Sequence, residues 1–412
     1  MALLVQAGAQ VAWDKDGCKI QHPVHGRLEV KMDQGCPTLE HNVGMKIMLE
    51  VEQMMMRGDF AVRMLGGVEK SEKDEEMLKK LQEVKKEFPL VPDAILNRIP
   101  GRSSYDPTQL PLNRKMRRRV QNAEKVIIHL YSGPDPKEWL KLRDEKTYVI
   151  CIDKLYHNGD MLNDHLMGYL EEVMDSGKVE MFLMGPPCRT VSAARHTEDG
   201  GPRPLRSREG DERFGLKGLN HYEKKLVEDD TVLMLRAQWL ARKGNKASNG
   251  IMESMLEQPR DPSEYREGSY PTFLTWPETK ETADQLGWQK VILDQGAVGH
   301  PTRKPTTLLS DIPEVAQLHG LKDDRPPQHD RQKLSLEQRL EQSKSWAAWA
   351  EGLKYVLKVA ATWRLGGGYK HIRNILGTYG TYYLDTALTV CHLVDLLGQH
   401  LAHLRKWLTA LT

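Results

Sequence analysis

Apolar and polar positions form alternating blocks along the chain, and the blocks differ in period. Between residues 125 and 311, short apolar runs such as KVIIHLY, TYVICI and VEMFLM are separated by segments with helical spacing. Short apolar runs bounded by polar segments predict buried strands, and their alternation with helices is typical of α/β units around a parallel sheet. Residues 125–311 are therefore predicted to be an α/β domain, with helices at about 162–174 and 226–242.

The flanking regions have different patterns. Residues 1–65 contain strand-like stretches bounded by Asp-Gly, Gly and Pro turn signals, which predict a small β-rich segment. Residues 66–124 are predicted to be a charged helical linker, most simply a solvated helix with a narrow apolar stripe at 68–88. Residues 312–412 are predicted to be a polar linker and a helical tail, and the apolar stretch 381–404 in this tail favours an amphipathic helix.

Composition narrows the class of protein. The 412 residues include 59 basic and 57 acidic side chains, a net charge of +2, and 39% are apolar. This balance excludes a membrane protein and a wholly disordered chain. The five cysteines form no C-x-x-C pair, and the start MALLVQAGAQ lacks the features of a secretion signal. We therefore expect a soluble protein of a reducing, intracellular compartment, without a disulfide framework or a zinc cluster.

A first candidate site follows the strand KVIIHLY. In H-L-Y-S-G, Gly133 comes directly after a buried strand, where a missing side chain lets a ligand approach the backbone. Asp153 ends the next strand at about the separation from Gly133 at which an acid reaches a ribose hydroxyl in nucleotide sites. Asp160, in N-G-D-M-L, is placed to accept a hydrogen bond from an adenine amino group. Taken singly, such acids are more often helix caps or turn residues.

A second candidate site is M-G-P-P-C-R-T at 184–190, just beyond the strand VEMFLM. Ligands bind at this end of the strands in open α/β sheets. The two prolines fix the backbone and present Cys188 outward. The neighbouring Arg189 and Arg195 predict a lowered thiol pKa, which makes a cysteine nucleophilic at neutral pH. The alternative is a structural loop with an unreactive cysteine.

Clustered basic residues suggest contacts with nucleic acid. A run of five, which with Arg189 is a candidate for binding phosphates, precedes the first strong strand and consists of Arg114, Lys115, Arg117, Arg118 and Arg119. The alternative for this run is a solvated helix end. The long charged insert TEDGGPRPLRSREGDERFGLKGLN after Cys188 has two equally weighted interpretations, a mobile nucleic-acid-binding loop or a disordered decoration.

The order of the motifs adds information that no single motif carries. H-L-Y-S-G, an acid after the second strand, N-G-D-M-L, G-P-P-C, L-E-Q-P at 256–259 and D-Q-G-A-V-G-H-P-T-R-K-P-T-T at 294–307 follow one another. This order resembles that of cytosine-5 DNA methyltransferases and covers roughly residues 125–311. It is particularly similar to the divergent methyltransferase-like domains of large mobile-element polyproteins in dinoflagellates. The resemblance implies a Rossmann-like methyltransferase sheet flanked by helices.

The resemblance also implies roles for four residues. Cys188 would be the thiolate that attacks carbon 6 of cytosine, which turns the ring into an enamine able to take a methyl group. Glu257 would offset the charge that develops at ring nitrogen 3. Arg303, helped by Gln295, would orient the base. The partner would be DNA with a flipped or single-stranded base, and the protein would be nuclear if that DNA is genomic.

The cofactor implied by the resemblance is S-adenosylmethionine, and no metal is expected. Its methionine part would lie against Tyr131, Ser132 and Gly133. Asp153 would bind the ribose. The adenine would lie near Asp160, Gly185 and Pro186.

Several features depart from the family pattern. Gly133 is followed by Pro-Asp-Pro instead of further glycines, and no target-recognition segment or closing motif that returns to the cofactor pocket is recognisable after Asp311. Residues 1–65 resemble the part of the same polyproteins that follows a retroviral-type protease site, but this region has no Asp-Ser/Thr-Gly triplet. It remains open whether the chain is a fragment of a longer element.

Two hypotheses therefore stand. In the first, the chain transfers a methyl group from S-adenosylmethionine to cytosine in DNA. In the second, it is a catalytically inactive methyltransferase-like scaffold of a retrotransposon-type polyprotein, which binds nucleic acid, or partner chains through the C-terminal helices.

Overall fold

The computed structural model describes residues 10–14, 17–22, 26–33, 36–40, 42–43, 46, 72–196, 202–325 and 349–364. The chain divides into two compact units, Met1–Ser104 and Tyr105–Thr412. The sequence analysis instead predicted boundaries after residues 65, 124 and 311. The predicted apolar helix at 381–404 lies outside the described residues.

The described residues of the first unit include short strands and helices. A three-stranded antiparallel sheet and a separate antiparallel pair are formed by β1 (Gln10–Asp14), β2 (Gly17–His22), β3 (Gly26–Leu28), β4 (Val30–Asp33) and β5 (Cys36–Leu39). Helices α1 (Glu72–Glu87) and α2 (Asp93–Leu96) follow. Val84 and Phe88 are fully buried, so α1 is not the solvated linker helix that its charge predicted.

The second unit alternates strands and helices. Its strands are β6 (Lys125–Leu130), β7 (Thr147–Ile152), β8 (Val179–Met184), β9 (Glu253–Pro259), β10 (Gln289–Asp294) and β11 (Pro305–Ser310). Its helices are α3 (Arg114–Asn122), α4 (Lys137–Leu140), α5 (Asp164–Asp175), α6 (His221–Ala247), α7 (Pro277–Leu286), α8 (Pro313–Ala316) and α9 (Glu351–Arg364).

A mixed six-stranded sheet forms the centre of this unit, in the order β10-β11-β9-β8-β6-β7. β7, β6, β8 and β9 run parallel, and β11 runs antiparallel to both of its neighbours. β6 and β7 consist almost entirely of buried residues, as is usual for parallel strands that are covered on both faces. The predicted α/β class, a sheet flanked by helices, is confirmed.

Local capping explains where the two long central helices begin. The Asn163 side chain accepts the amide hydrogens of His165 and Leu166 at the start of α5, and Ser176 ends the helix near the predicted stop. Asn220 and Glu223 form a capping box at the start of α6. Helix α6 therefore begins five residues before the predicted position near 226.

Helix α9 completes the core of the second unit. Leu353 and Leu357 are fully buried in one apolar cluster with residues of the central strands. Full burial of a leucine side chain contributes roughly 1.5–3 kcal/mol. Residues 349–364 of the predicted tail are thus part of the α/β unit, whereas the predicted helix start near 335 lies outside the described residues.

No helix in the described part of the chain is both long enough and apolar enough to cross a lipid bilayer.

Candidate functional site

The topology of the sheet points to one edge. The chain leaves β6 toward β7 and later returns to β8 on the other side of β6. In open α/β sheets, ligands bind in the crevice at the carboxyl ends of strands where the order reverses in this way. The register of β6, β8 and β9 places Tyr131, Gly185 and Glu257 side by side there. We call this region the carboxyl edge; it comprises residues 131–133, 153, 185–190, 257–258, 295 and 303–304.

The backbone after β6 adopts an unusual conformation. Tyr131 has a φ of 60°, which for a non-glycine residue costs roughly 1–3 kcal/mol. Its hydroxyl donates to the Leu233 carbonyl oxygen of α6 at 2.9 Å. The backbone N–H groups of Tyr131 and Ser132 both donate to the Ile152 carbonyl. The turn is therefore held against the end of β7 and against α6.

Gly133 and Asp153 are in direct contact, as their spacing suggested. The Gly133 N–H donates to Asp153 Oδ2 at 2.9 Å, and the Leu155 N–H donates to Asp153 Oδ1 at 2.8 Å. The φ of Gly133 is 80°, and none of the described atoms lies within 4 Å of the position that a Cβ would take. Gly133 thus borders open space at the carboxyl edge.

Asp160 makes local contacts. Its Oδ1 accepts the Leu162 N–H at 3.0 Å, and its Oδ2 lies 2.9 Å from Lys154 Nζ. The preceding Gly159 packs so closely on the Asp153 backbone that a Cβ would lie 2.8 Å from the Asp153 carbonyl oxygen. Asp160 is therefore bound to the loop that follows β7. These contacts are those of a turn residue, which was the alternative to an adenine-binding role.

The loop after β8 is held from two sides. The Pro186 carbonyl accepts a hydrogen bond from Gln258 Nε2 at 2.8 Å. A Cβ on Gly185 would lie 3.4 Å from Trp349 Nε1 and 3.7 Å from Glu257 Oε2. The segment before α9 thus returns to the carboxyl edge, where the sequence showed no returning motif. Trp349 also stacks on the buried ring of His129, with centroids 4.6 Å apart.

The thiol of Cys188 is not activated in this structure. Burial, with a smaller contribution from the Glu257 carboxylate, raises the pKa of the Cys188 thiol to about 12, and Lys304 acts in the opposite direction. The expected lowering by Arg189 and Arg195 is wrong because both guanidinium groups are engaged elsewhere. Arg189 pairs with Asp230, and Arg195 donates to the carbonyls of Arg189 and Arg203.

Glu257 lies in a network of buried polar groups. Lys304 Nζ is 3.2 Å from Glu257 Oε1, and Gln295 Nε2 donates to the same oxygen at 3.1 Å. Gln295 Nε2 also donates to Thr306, and Gln295 Oε1 accepts the Ala350 N–H at 2.8 Å. The amide of Gln295 therefore links Glu257 to the segment that leads into α9.

Arg303 is not part of this network. Its Nε lies 2.8 Å from Asp294 Oδ2, and about a third of its side chain is exposed. The adjacent Lys304, with a φ of 39°, is the residue that reaches Glu257. Of the four predicted catalytic residues, the structure brings together Cys188, Glu257 and Gln295, with Lys304 in the position expected for Arg303.

Three arginines in the described part of the charged insert face inward, whereas Arg203 is half-exposed and pairs with Glu223. Arg208 pairs with Asp261 through two hydrogen bonds, at 2.9 and 2.6 Å, and Arg213 pairs in the same way with Glu278. Arg206 is fully buried and donates to backbone carbonyls and to Thr231. Residues 202–220 are thus bound to the helical layer, and neither predicted interpretation, mobile loop or disordered decoration, describes them.

The basic run lies on α3, which leads into the amino end of β6, the end opposite to Tyr131 and Gly133. Arg114, Lys115, Arg118 and Arg119 are exposed, whereas Arg117 donates to the Pro107 and Leu112 carbonyls. The run therefore does not adjoin Cys188. Its predicted role in nucleic-acid binding stays a prediction.

Sequence reasoning missed three residues of the site. Lys304 directly follows the predicted Arg303, and with a φ of 39° it reaches Glu257, whereas Arg303 pairs with Asp294. Asp230 on α6 is an acid placed directly before a nearly continuous run of buried residues, which is the signal that could have identified it. Trp349 lies within the helix predicted from the sequence but precedes α9 in the structure, and only the tertiary fold brings it to the carboxyl edge.

The arrangement has definite chemical capacities. It combines a partly buried thiol, a carboxylate held by an ammonium group and an amide, and open space beside Gly133. A thiol beside an acid–base pair is suited to nucleophilic catalysis once its proton is removed. No protein-family model matches this chain, and neither a curated protein nor a solved structure matches it significantly.

Proposed function

We propose that the protein transfers a methyl group from S-adenosylmethionine to carbon 5 of cytosine in DNA, with Cys188 as the nucleophile. The observation that carries this proposal is the convergence of Cys188, Glu257 and Gln295 beside Gly133 and Asp153. These residues come from five segments of the chain, and they meet at the one edge where a doubly wound sheet binds ligands. The finer fold that we propose is accordingly a Rossmann-like methyltransferase sheet.

The residues after β6 and β7 fit the proposed cofactor. The space beside Gly133 allows a ligand to approach the backbone. Each carboxylate oxygen of Asp153 accepts one backbone N–H, and a carboxylate has about four acceptor positions, so it retains capacity for ribose hydroxyls. Bound there, S-adenosylmethionine would supply the methyl group for carbon 5.

The chain's own residues would act on the base. The Cys188 thiolate adds to carbon 6, and the electron pair of the 5,6 double bond moves toward carbon 5 and nitrogen 3. In this scheme Glu257 takes up the Cys188 thiol proton and, as a carboxylic acid, donates it to nitrogen 3, where the proton offsets the developing charge. After methylation, loss of the proton from carbon 5 and departure of the Cys188 sulfur restore the ring. Lys304 keeps Glu257 oriented throughout.

Formation of a covalent adduct tests this function most directly. The full chain is incubated with S-adenosylmethionine and an oligonucleotide that contains 5-fluorocytosine, which lacks the proton needed for release. We expect a denaturation-resistant adduct for the wild type and none for Cys188→Ser. Cys18→Ser is the matched control, because Cys18 is a free cysteine on β2 of the first unit and is not one of the residues of the carboxyl edge. Absence of an adduct with the wild type across varied DNA would reject the proposal.

One observation favours a second candidate, a catalytically inactive scaffold that binds nucleic acid or partner chains. Burial raises the pKa of the Cys188 thiol to about 12, which leaves almost no thiolate at neutral pH. Calorimetry with S-adenosylmethionine separates the two candidates. Binding of the cofactor together with an adduct supports the enzyme, whereas DNA binding without either supports the scaffold.

A further inference from the structure

Asp230 is a buried acid to which neither the sequence nor the proposed reaction assigns a role. It lies on α6, and its side chain is fully buried. Its Oδ1 accepts two hydrogen bonds from Arg189, from Nε at 3.0 Å and from Nη2 at 2.9 Å. Its Oδ2 has no hydrogen-bond partner among the described residues. Burial raises the pKa of this carboxyl, and the hydrogen bond and charge of Arg189 oppose that change.

Arg189 has the opposite character. It directly follows Cys188, and 56% of its side chain is exposed. The backbone of this loop is fixed as well, because Arg195 donates to the Arg189 carbonyl at 2.6 Å and to the Arg203 carbonyl at 3.0 Å. One edge of the Arg189 guanidinium group is therefore held by α6, while about half of the side chain faces solvent.

Stability alone does not account for this pair. Burying a carboxylate costs several kcal/mol, which the half-exposed Arg189 and the charge of the buried Arg206 offset only in part, because the pKa of Asp230 remains raised. An apolar or amide side chain on α6 would pack at lower cost. What the buried acid adds is a fixed direction for the guanidinium group, because it engages the Nε and Nη2 edge.

A fixed arginine beside the cysteine fits the backbone of a nucleic-acid strand. A base that reaches Cys188 carries a phosphate on each side of its sugar, and phosphate contacts set the position of a protein on its strand. The planar guanidinium fork matches phosphate oxygens better than an ammonium group does.

We propose that Asp230 is a positioning residue that holds Arg189 at the mouth of the Cys188 site, where Arg189 binds a phosphate of the DNA strand whose base reaches the cysteine. This inference rests on the proposed DNA substrate, but it does not require methyl transfer.

Binding of single-stranded DNA tests the inference without cofactor or turnover. Anisotropy of a fluorescein-labelled, cytosine-containing oligonucleotide is measured with the full chain over a series of salt concentrations. Arg189→Ala is expected to weaken binding about tenfold, since hydrogen bonds between charged groups are strong. It should also reduce the slope of log affinity against log salt by about 0.7, the value for one phosphate contact on a single strand.

Asp230→Asn distinguishes positioning from simple charge. Loss of a negative charge near a phosphate site would by itself strengthen binding, whereas loss of positioning weakens it. We expect binding several-fold weaker than the wild type, and no further loss when Asp230→Asn is added to Arg189→Ala. Asp229→Asn is the matched control, because Asp229 is the preceding residue of α6 and pairs with Lys225. This control should bind at least as tightly as the wild type.

Several results would overturn the inference: no binding by the wild type, unchanged binding by Arg189→Ala, or tighter binding by Asp230→Asn. If Asp230→Asn does not fold, the Arg189→Lys variant is used for the test, since it keeps the positive charge but lacks the planar guanidinium group. Weaker binding by this variant supports the inference, and equal binding overturns it. If these binding effects are observed but no covalent adduct forms, the role of Asp230 and Arg189 is supported and the proposed methyl transfer is rejected.

Discussion

Two glutamates of the same strand show how differently the two edges of the central sheet are built. Glu253 begins β9, and Glu257 lies four residues further along it. Arg364 of α9 binds Glu253 through Nε and Nη2, each at 2.7 Å, and also binds Glu314. We call this region the amino edge; it comprises residues 125, 180, 253–254, 311, 314 and 364. Arg364 thus binds two of its acids, and Lys125 lies 3.4 Å from a third, Glu180.

Glu257 has a weaker set of partners and a reactive neighbour. A lysine and an amide contact one of its oxygens, and the thiol of Cys188 is close enough for the carboxylate to raise its pKa. The carboxyl edge also contains the strained Tyr131 and the open space beside Gly133. Ion pairs bridged by one arginine at the amino edge, and a thiol, a strained backbone and open space at the carboxyl edge, are what a stabilising edge and a functional edge should show.

The largest expected effect comes from replacing each of these two glutamates by glutamine in a separate variant. Glu257→Gln removes the group proposed to stabilise charge on the base, so adduct formation should slow by roughly 10³-fold, within the usual range for an acid–base residue. Glu253→Gln should leave adduct formation unchanged and lower the midpoint of urea unfolding. Single-turnover assays and denaturation curves on both variants measure the contrast. Equal effects of the two changes on the adduct would remove the functional distinction between the edges.

Arg364→Met tests the amino edge alone. The change leaves two partly buried carboxylates without their partner, and we expect the free energy of unfolding to fall by about 3 kcal/mol. The loss should shrink as the pH falls, because burial raises the pKa of the Glu253 carboxyl and its protonation removes one of the two charges. Lys354→Met on the same helix is the control, since its pair with Glu351 is more exposed and should contribute less than about 1 kcal/mol. Similar losses for the two variants would mean that the amino edge is not specially stabilised.

Asp311 gives a smaller, pH-dependent effect at the same edge. Burial raises the pKa of this carboxyl to about 6, while its Oδ1 accepts the Ser254 N–H at 2.6 Å. The folded state therefore binds a proton more tightly than the unfolded state, so this group's contribution to stability is lost as pH rises from about 4 through 6. Asp311→Asn keeps the acceptor and should raise the free energy of unfolding by about 1 kcal/mol at pH 8 and not at pH 4. An equal gain at both pH values would contradict the assigned cause.

Much of the fold was predictable because its signals are local. Apolar runs such as VEMFLM predicted the central strands, and Ser176 ends α5 close to the predicted stop. The start of α6 was missed because the capping box of Asn220 and Glu223 lies in a charged insert with few apolar positions. The return of α9 to the sheet was missed because periodicity shows that a helix has an apolar face, but not which surface covers it.

The candidate site was predictable in part for the same reason. Cys188, Glu257 and Gln295 follow buried strands, and the edge of a sheet gathers residues that are distant in sequence. The choice between Arg303 and Lys304 depended on a backbone conformation that the sequence does not encode visibly. The pKa of Cys188 was predicted in the wrong direction because sequence neighbours were taken as spatial neighbours, whereas Asp230 and backbone carbonyls bind the two arginines.

The smallest expected effect concerns the charge around Cys188 before any substrate binds. With its pKa raised to about 12, this thiol should react with iodoacetamide far more slowly at pH 8 than a free cysteine, whose pKa is about 8.5. Glu257→Gln removes a negative charge, so alkylation should become roughly three- to tenfold faster, whereas Lys304→Met should slow it. The rates are followed by mass spectrometry of the peptide that contains Cys188.

Cys151 is the internal control in the same digests. Burial raises the pKa of Cys151 to about 12 as well, while the charge of Arg143 and a hydrogen bond with Ser132 act in the opposite direction. Its alkylation rate should therefore not respond to changes at Glu257 or Lys304. If both thiols respond equally, the variants loosen the whole sheet, and the distinction between the edges fails. If only Cys188 responds, the charge of Glu257 directly controls the reactivity of the Cys188 thiol. A ligand that neutralises Glu257 would then lower the pKa of this thiol and so activate it as a nucleophile.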